Sequence, residues 1–108
     1  MIFLVIFFAW WAVAFIPVQY VNGKLFLKNY AGLTFAPFVF FKNERLTKQD
    51  WFVKHEMEHI RQQRVCSPAI FIVVYCSEYF LNRAKGMNHF DAYYSIGFEK
   101  MARIAEKE

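Results

Sequence analysis

Two histidines enclose two glutamates within five consecutive residues, His55-Glu56-Met57-Glu58-His59. On a helix, residues four apart lie on one face, with about 5–6 Å between their Cβ atoms. His55 and His59 can therefore bind one tetrahedral metal ion, and zinc is the ion expected for two imidazoles at this spacing. Glu56 lies between them in projection, where its carboxylate can reach a water molecule without being a ligand. The spacing predicts a single-zinc site in which Glu56 acts as a general base.

The element that must position these residues is a helix. Thr47 and Asp50 form the pattern T-x-x-D, which predicts a capping box and a helix over about residues 48–66. The face opposite the histidines carries Val53, Met57 and Ile60, an apolar stripe that can pack on the rest of the fold. The alternative is a surface helix on which the histidines and glutamates are only solvated.

A catalytic zinc site needs a third protein ligand and one open position. Glu78 follows His59 by 19 residues and Glu99 follows it by 40, and both lie on predicted helices. Residues 87–94 are predicted as a loop that carries two further candidates. From the residues alone, the third ligand stays open among Glu78, His89, Asp91 and Glu99.

The remaining elements predict an α+β fold with one short antiparallel sheet. Asn22-Gly23 is a tight-turn signal, so a hairpin is expected there, with strands at residues 25–29 and 33–41. Pro37 cannot donate to a strand ladder, which places the second strand at a sheet edge. Ser67-Pro68 begins a helix that ends near residue 85 before Gly86, and a last helix begins near residue 96.

The N-terminal segment is strongly apolar. Residues 1–18 contain no charged side chain, and the chain as a whole is 57% hydrophobic and 21% aromatic. This predicts two parts, an apolar segment at residues 1–21 that forms a membrane helix and a catalytic domain at 22–108. A buried element of the fold and a cleaved signal sequence are the alternatives.

The charge distribution bears on partners. The formal net charge is +4, but the basic residues do not cluster into a dense run, so nucleic acid is not an expected partner. Lys24, Lys28 and Lys42 follow the apolar segment without an acid before Glu44. If that segment spans a membrane, these lysines favour a cytoplasmic location for the remainder of the chain.

Three segments together resemble a known class of enzymes. Residues 55–63 read HEMEHIRQQ, Glu78-Tyr79 lie on an apolar helix, and residues 92–102 read AYYSIGFEKMA. H-E-x-x-H followed by a glutamate on a later helix resembles the gluzincin zinc metallopeptidases, in particular their minimal bacterial and phage-encoded membrane-associated forms. The likeness covers about residues 30–104. It implies that Glu99 is the third zinc ligand, with Glu78 as the competitor.

The resulting expectation is a small zinc-dependent peptidase. Glu56 takes a proton from a zinc-activated water, and Tyr93, Tyr94 or His89 is the candidate donor to the oxyanion, with Tyr93 expected as catalytic. A peptide or protein substrate is expected to pair along the edge strand at residues 33–41. The alternatives are a non-catalytic zinc-binding structural or interaction module and a small membrane protein without a metal.

Overall fold

Five α-helices and a three-stranded sheet make up the described part of the chain and confirm the α+β class. The computed structural model describes residues 1–25, 27 and 30–108. A 3₁₀ helix at Glu44–Lys48 connects the sheet to the second α-helix. The elements are α1 Ile2–Val13, β1 Gln19–Asn22, β2 Gly32–Phe35, β3 Phe38–Phe41, α2 Asp50–Cys66, α3 Pro68–Ala84, α4 His89–Tyr94 and α5 Gly97–Ala105.

The capping box predicted at the start of α2 is wrong. Thr47 lies within the 3₁₀ helix, where its hydroxyl donates a hydrogen bond to the carbonyl of Glu44. α2 begins at Asp50 after Gln49, without a side-chain cap. The side chain of Asn43 instead caps the 3₁₀ helix by accepting a hydrogen bond from the N–H of Arg45. Thr47 is therefore already committed to the preceding turn and cannot form the capping box.

The predicted boundaries of α3 are confirmed. The Ser67 hydroxyl accepts a hydrogen bond from the N–H of Ile70, and Pro68 is the first residue of the helix. Gly86, with φ of +98°, follows the helix in a conformation that favours glycine. The predicted loop at residues 87–94 is wrong, because it contains α4, whose start is capped by Asn88 through the N–H of Asp91.

The predicted strand at residues 33–41 consists of two strands. β2 and β3 are antiparallel and are joined by a tight turn at Ala36 and Pro37, whose peptide bond is cis. The strand order is β1-β3-β2, so β2 lies at an edge and β3 lies in the middle. The edge location predicted from Pro37 therefore holds for β2 only, since β3 is paired on both sides.

Among the residues that the structure describes, Asn22-Gly23 do not form the predicted hairpin. β1 ends at Asn22 and pairs in parallel with β3, and the N–H of Gly23 donates to the carbonyl of Phe41. The sheet is therefore mixed rather than antiparallel throughout. Of the strand predicted at residues 25–29, Leu25 lies in a turn and Leu27 in no strand, while residues 26, 28 and 29 lie outside the described part.

The core lies between α2 and the sheet. Phe52 and Ile60 of α2 pack with Ala36, Val39 and Ala14 in a cluster of buried side chains. α2 also contacts α3 and α5 on its other sides. Because α2 is surrounded, polar residues on its remaining faces are buried as well, and this is where the predicted site lies.

The N-terminal segment combines a short helix and a strand. α1 ends at Val13 and none of its residues is buried, whereas Ala14 lies in the core and Gln19–Asn22 form β1. No single helix in the described residues is long and apolar enough to cross a membrane. α2 and α3, which meet at a bend of 114°, reach that length and composition only as a pair.

Candidate metal centre

His55 and His59 lie one turn apart on α2, as their spacing predicts. Their ring centroids are 5.0 Å apart, and the two rings are tilted by 77°. The Nε2 atom of each ring faces the same carboxylate, that of Glu99 on α5. The helix therefore directs both imidazoles toward one point rather than toward opposite sides.

Glu99 reaches the histidines because α5 packs directly on α2. Its Oε1 atom lies 2.7 Å from Nε2 of His59, and its Oε2 atom lies 3.4 Å from Nε2 of His55. Its side chain is almost fully buried, with 3% of the residue exposed. One ligand atom from each of His55, His59 and Glu99 can be chosen so that all three lie within 4.8 Å of one another.

These three side chains fit a zinc ion in both chemistry and spacing. Zinc binds imidazole nitrogen and carboxylate oxygen at about 2.0–2.2 Å in tetrahedral geometry, so neighbouring ligand atoms lie about 3.3 Å apart. The nitrogen-to-oxygen distances of 2.7 and 3.4 Å are close to that separation. Three protein ligands leave the fourth tetrahedral position for a water molecule, as catalytic rather than structural sites require.

A second acceptor orients the imidazole of His59, and a carboxylate lies near the second nitrogen of His55. Nδ1 of His59 lies 2.9 Å from Oε1 of Gln62, and Nδ1 of His55 lies 3.4 Å from Oε2 of Glu106. In His59, a proton held on Nδ1 by the Gln62 oxygen leaves Nε2 as the metal-binding nitrogen. Gln62 is itself held in place, because its Nε2 atom donates to the carbonyl of Phe98. The arrangement matches that of metal-bound histidines, whose second nitrogen is normally hydrogen-bonded.

The three groups perturb one another's protonation. Burial lowers the pKa of His55 and of His59, but the hydrogen bonds and negative charge of Glu99 outweigh it, so both pKa values are raised. Burial raises the pKa of Glu99, and the hydrogen bonds from the two histidines more than reverse this and lower it to about 2. An anionic Glu99 therefore favours the protonated form of both imidazoles, and a metal ion would compete with protons for their nitrogens.

Glu56 lies beside this cluster but is separate from the three converging ligand atoms. Its carboxylate is buried, with 5% of the residue exposed, and Oε2 accepts a hydrogen bond of 2.5 Å from the hydroxyl of Thr34 on β2. Burial raises its pKa, and the neighbouring histidines and Thr34 reduce that effect. A carboxyl group with a raised pKa, next to a metal site but not in it, has the properties of a general base.

Two tyrosines face Glu99 from the opposite wall. Burial raises the pKa of Tyr93 and of Tyr75, and the negative charge of Glu99 raises both further. Both hydroxyls therefore stay protonated and can donate hydrogen bonds. Tyr94 points away, since its ring stacks on Phe90 and contacts the guanidinium of Arg103 at 3.5 Å.

The other candidate ligands have different partners. A carboxylate oxygen of Glu78 accepts a hydrogen bond of 2.9 Å from the N–H of Gly97, at the start of α5. His89 lies between two tyrosines, with Nε2 at 2.5 Å from the hydroxyl of Tyr30 and Nδ1 at 2.7 Å from that of Tyr79. Asp91 is exposed on α4. Glu78 thus fixes the end of the helix that carries Glu99, while Glu99 itself points to the histidines.

Gln63 connects the site helix to the edge strand. Its Oε1 atom accepts a hydrogen bond from the N–H of Ala36, and its Nε2 atom donates to the carbonyl of Thr34. The residue is fully buried. On the same helix Arg61 is exposed and pairs with Glu58, whereas Gln62 and Gln63 are buried.

Several residues of the site were not predicted. Thr34, Tyr75 and Glu106 have no motif of their own, and each comes from a different element. Only Tyr75 had a recognisable signal, since Phe71, Tyr75 and Tyr79 repeat every four residues along one face of α3.

The site opens into an apolar cavity of about 460 Å³. Glu56, His59 and Glu99 line it together with β2 and with one side of α3. A cavity of this volume is typical of ligand pockets, in which a few polar groups orient a ligand within an otherwise apolar wall. The aromatic members of the wall are Tyr30, Phe35, Phe71, Tyr75, Tyr79, Phe80 and Tyr93.

Comparison with known proteins adds no assignment. No family model, no curated protein and no solved structure matches the chain.

Proposed function

We propose that the chain is a small zinc-dependent metallopeptidase of the gluzincin type. The observation that carries the proposal is the convergence of Nε2 of His55 and His59 on the Glu99 carboxylate, with Glu56 buried beside them. The site thus offers two imidazoles and one carboxylate as metal ligands. The carboxylate of Glu56 lies beside them and is not a ligand. The cavity in front of them supplies room for a peptide.

Each residue has a defined task in peptide hydrolysis. His55, His59 and Glu99 would hold a zinc ion, which would supply Lewis-acid activation of water. Glu56 accepts the proton of the attacking water and later transfers it to the leaving amine. Tyr93 donates a hydrogen bond to the oxyanion that forms on the peptide carbonyl, and Tyr75 is a second donor on the same wall.

The substrate pairs with β2 rather than with the whole of residues 33–41. The carbonyl of Ala31 accepts a hydrogen bond from Lys42, and backbone groups alternate along an antiparallel ladder, so those of Gly32 and Thr34 point away from β3. The Thr34 carbonyl already receives Gln63. An extended peptide therefore pairs through the N–H and C=O of Gly32 and the N–H of Thr34.

Membrane association through α1, the helical part of the apolar segment predicted at residues 1–21, completes the proposal. α1 consists of apolar residues and has no buried member, so its side chains are available to lipid. Arg64 binds the carbonyls of Ala14 and Ile16, and the Trp11 indole donates to the carbonyl of Arg64. These bonds attach the end of the apolar segment to the site helix.

The alternative is a non-catalytic zinc module. It is favoured by the hydrogen bonds that tie Gln62, Gln63 and Thr34 to the site, since a rigid and buried arrangement also suits a structural metal. A structural site requires four protein ligands, whereas a catalytic site keeps one position for water.

The deciding experiment measures zinc content and peptide cleavage together. We expect one zinc per chain in the wild type, loss of zinc in His59→Ala and Glu99→Ala, and zinc retained in the control Asp91→Ala, since Asp91 is exposed on α4. Glu56→Gln should keep its zinc and lose about 10²–10⁴-fold in cleavage of a random peptide library. Zinc bound by four protein atoms, with no peptide cleaved by the wild type, would establish the structural alternative.

A further inference from the structure

α3 carries a row of exposed apolar side chains along one side. Ile70, Val73, Phe80 and Leu81, here called the α3 stripe, are all exposed, and Val73 has 64% of its surface accessible. The one acid on this helix, Glu78, binds the N–H of Gly97 and so faces the protein. Within α3, a helix described in full, the stripe is therefore interrupted by no acidic side chain.

The α3 stripe is continuous with the mouth of the cavity. Phe80 belongs to the stripe and also lines the cavity, and it is 67% exposed. Ile72 and Cys76, on the neighbouring face of α3, line the cavity as well. A surface that covers the stripe therefore lies directly at the entrance to the site.

α1 is a second apolar surface next to α3. It packs against α3, contains no charged residue and has no buried residue. Exposed apolar patches of this extent are unusual on a soluble monomer and mark a contact with a partner or with lipid. α1 is 12 residues long and α3 is 17 residues long, and both carry exposed apolar side chains.

The charges at the end of the stripe favour an anionic lipid surface as the partner. Arg83 and Lys85, both exposed, follow Leu81 at the C-terminal end of α3. Basic side chains at the margin of an apolar helix face extend their charged ends into the headgroup region and favour anionic lipids. The net charge of +4 acts in the same direction.

We propose that the α3 stripe lies on an anionic bilayer surface, so that the cavity receives polypeptide segments tethered to the same bilayer. The substrate part of this inference rests on the proposed peptidase activity. The docking part rests only on the exposed side chains and the basic residues beside them.

The test places a spin label at two equally exposed positions of the full chain. Leu81 is 60% exposed on the stripe, and Ile104 is 61% exposed on α5, so Leu81→Cys and Ile104→Cys form a matched pair. Both are made with Cys66→Ser and Cys76→Ser. The accessibility of each label to oxygen, which enters lipid, and to a nickel complex, which stays in water, is measured on vesicles of phosphatidylglycerol and phosphatidylcholine in equal amounts. The label at 81 should be more accessible to oxygen than to the nickel complex. The label at 104 should show the opposite.

The second measurement compares a random peptide library free in solution with the same library anchored to these vesicles by a lipid. At equal total concentration we expect anchored peptides to be cleaved at least about tenfold faster, because both partners are confined to one surface.

A label at 81 that stays in water overturns the docking, even where free peptides are cleaved and the peptidase proposal stands. Equal cleavage of free and anchored peptides overturns the substrate part. A label in lipid with neither library cleaved supports the docking and refutes the peptidase proposal instead.

Discussion

The hydroxyl of Thr34 donates a hydrogen bond of 2.5 Å to Oε2 of Glu56, from the edge strand to the site helix. The two residues are 22 positions apart in the chain and both are buried. Through this contact the strand proposed to hold the substrate is joined directly to the proposed general base. The orientation of the base is therefore coupled to the position of the strand.

Loss of this hydrogen bond should change the pH dependence of cleavage. Glu56 acts as a base only when ionised, so kcat/KM should fall as the pH falls through its pKa. Thr34 stabilises the ionised form, and a hydrogen bond to a charged group contributes about 1.5–3 kcal/mol. Thr34→Val should therefore raise the pKa and move the acidic limb of the pH–rate profile to higher pH. Thr34→Ser keeps the hydroxyl and should leave the limb in place; an unmoved limb in Thr34→Val would assign it to another group.

The metal-free protein should lose stability in acid through Glu99. The pKa of this carboxyl is lowered from 4.5 to about 2 in the folded state, so its contribution is complete above pH 4.5 and lost as the pH falls toward 2. Between pH 5 and pH 3 the loss should be about 2 kcal/mol in the free energy of unfolding. Urea unfolding in the presence of a chelator measures it. Glu99→Gln should lack this part of the pH dependence, and an identical slope in the variant would contradict the assignment.

The two outer partners of the histidines should differ in their effect on zinc affinity. Gln62→Leu removes a buried acceptor 2.9 Å from His59, and we expect affinity to fall about 10–100-fold. Glu106→Gln alters a partly exposed acceptor 3.4 Å from His55 and should have the smaller effect. Competition with a chromophoric chelator measures both constants. Equal affinities for the wild type and Gln62→Leu, with the helical circular dichroism unchanged, would remove Gln62 from this role.

Gly32 is expected to tolerate no side chain. A Cβ atom at this position lies 2.6 Å from the Phe52 ring and 2.9 Å from Oε1 of Glu56. Gly32→Ala must therefore displace β2 or Phe52, at a cost of about 1–3 kcal/mol. Thermal unfolding should show the loss, together with reduced cleavage. Gly97→Ala is the matched control, since its new Cβ meets Glu78 at an ordinary 3.4 Å and should leave the melting temperature nearly unchanged. Similar stability of the two variants would disprove the close packing of β2 on α2.

The features of this chain that depend on interactions between residues close in sequence could be predicted from the sequence alone. The helical repeat places His55 and His59 on one face wherever the helix lies. Ser67-Pro68 and Gly86 mark the two ends of α3 through bonds and φ values within a few residues. The general position of the site and the α+β class follow from such signals.

Contacts between elements were decided only by tertiary packing. Thr47 has the local pattern of a helix cap, but it lies within the 3₁₀ helix and bonds there. Asn22-Gly23 has the local pattern of a hairpin turn, but β1 pairs in parallel with β3 instead. Residue order left four candidates for the third ligand, and the packing of α5 on α2 brings Glu99 to the histidines. Gln63 likewise gains its role only when β2 lies beside α2, because a long-range hydrogen bond depends on distances that no local pattern encodes.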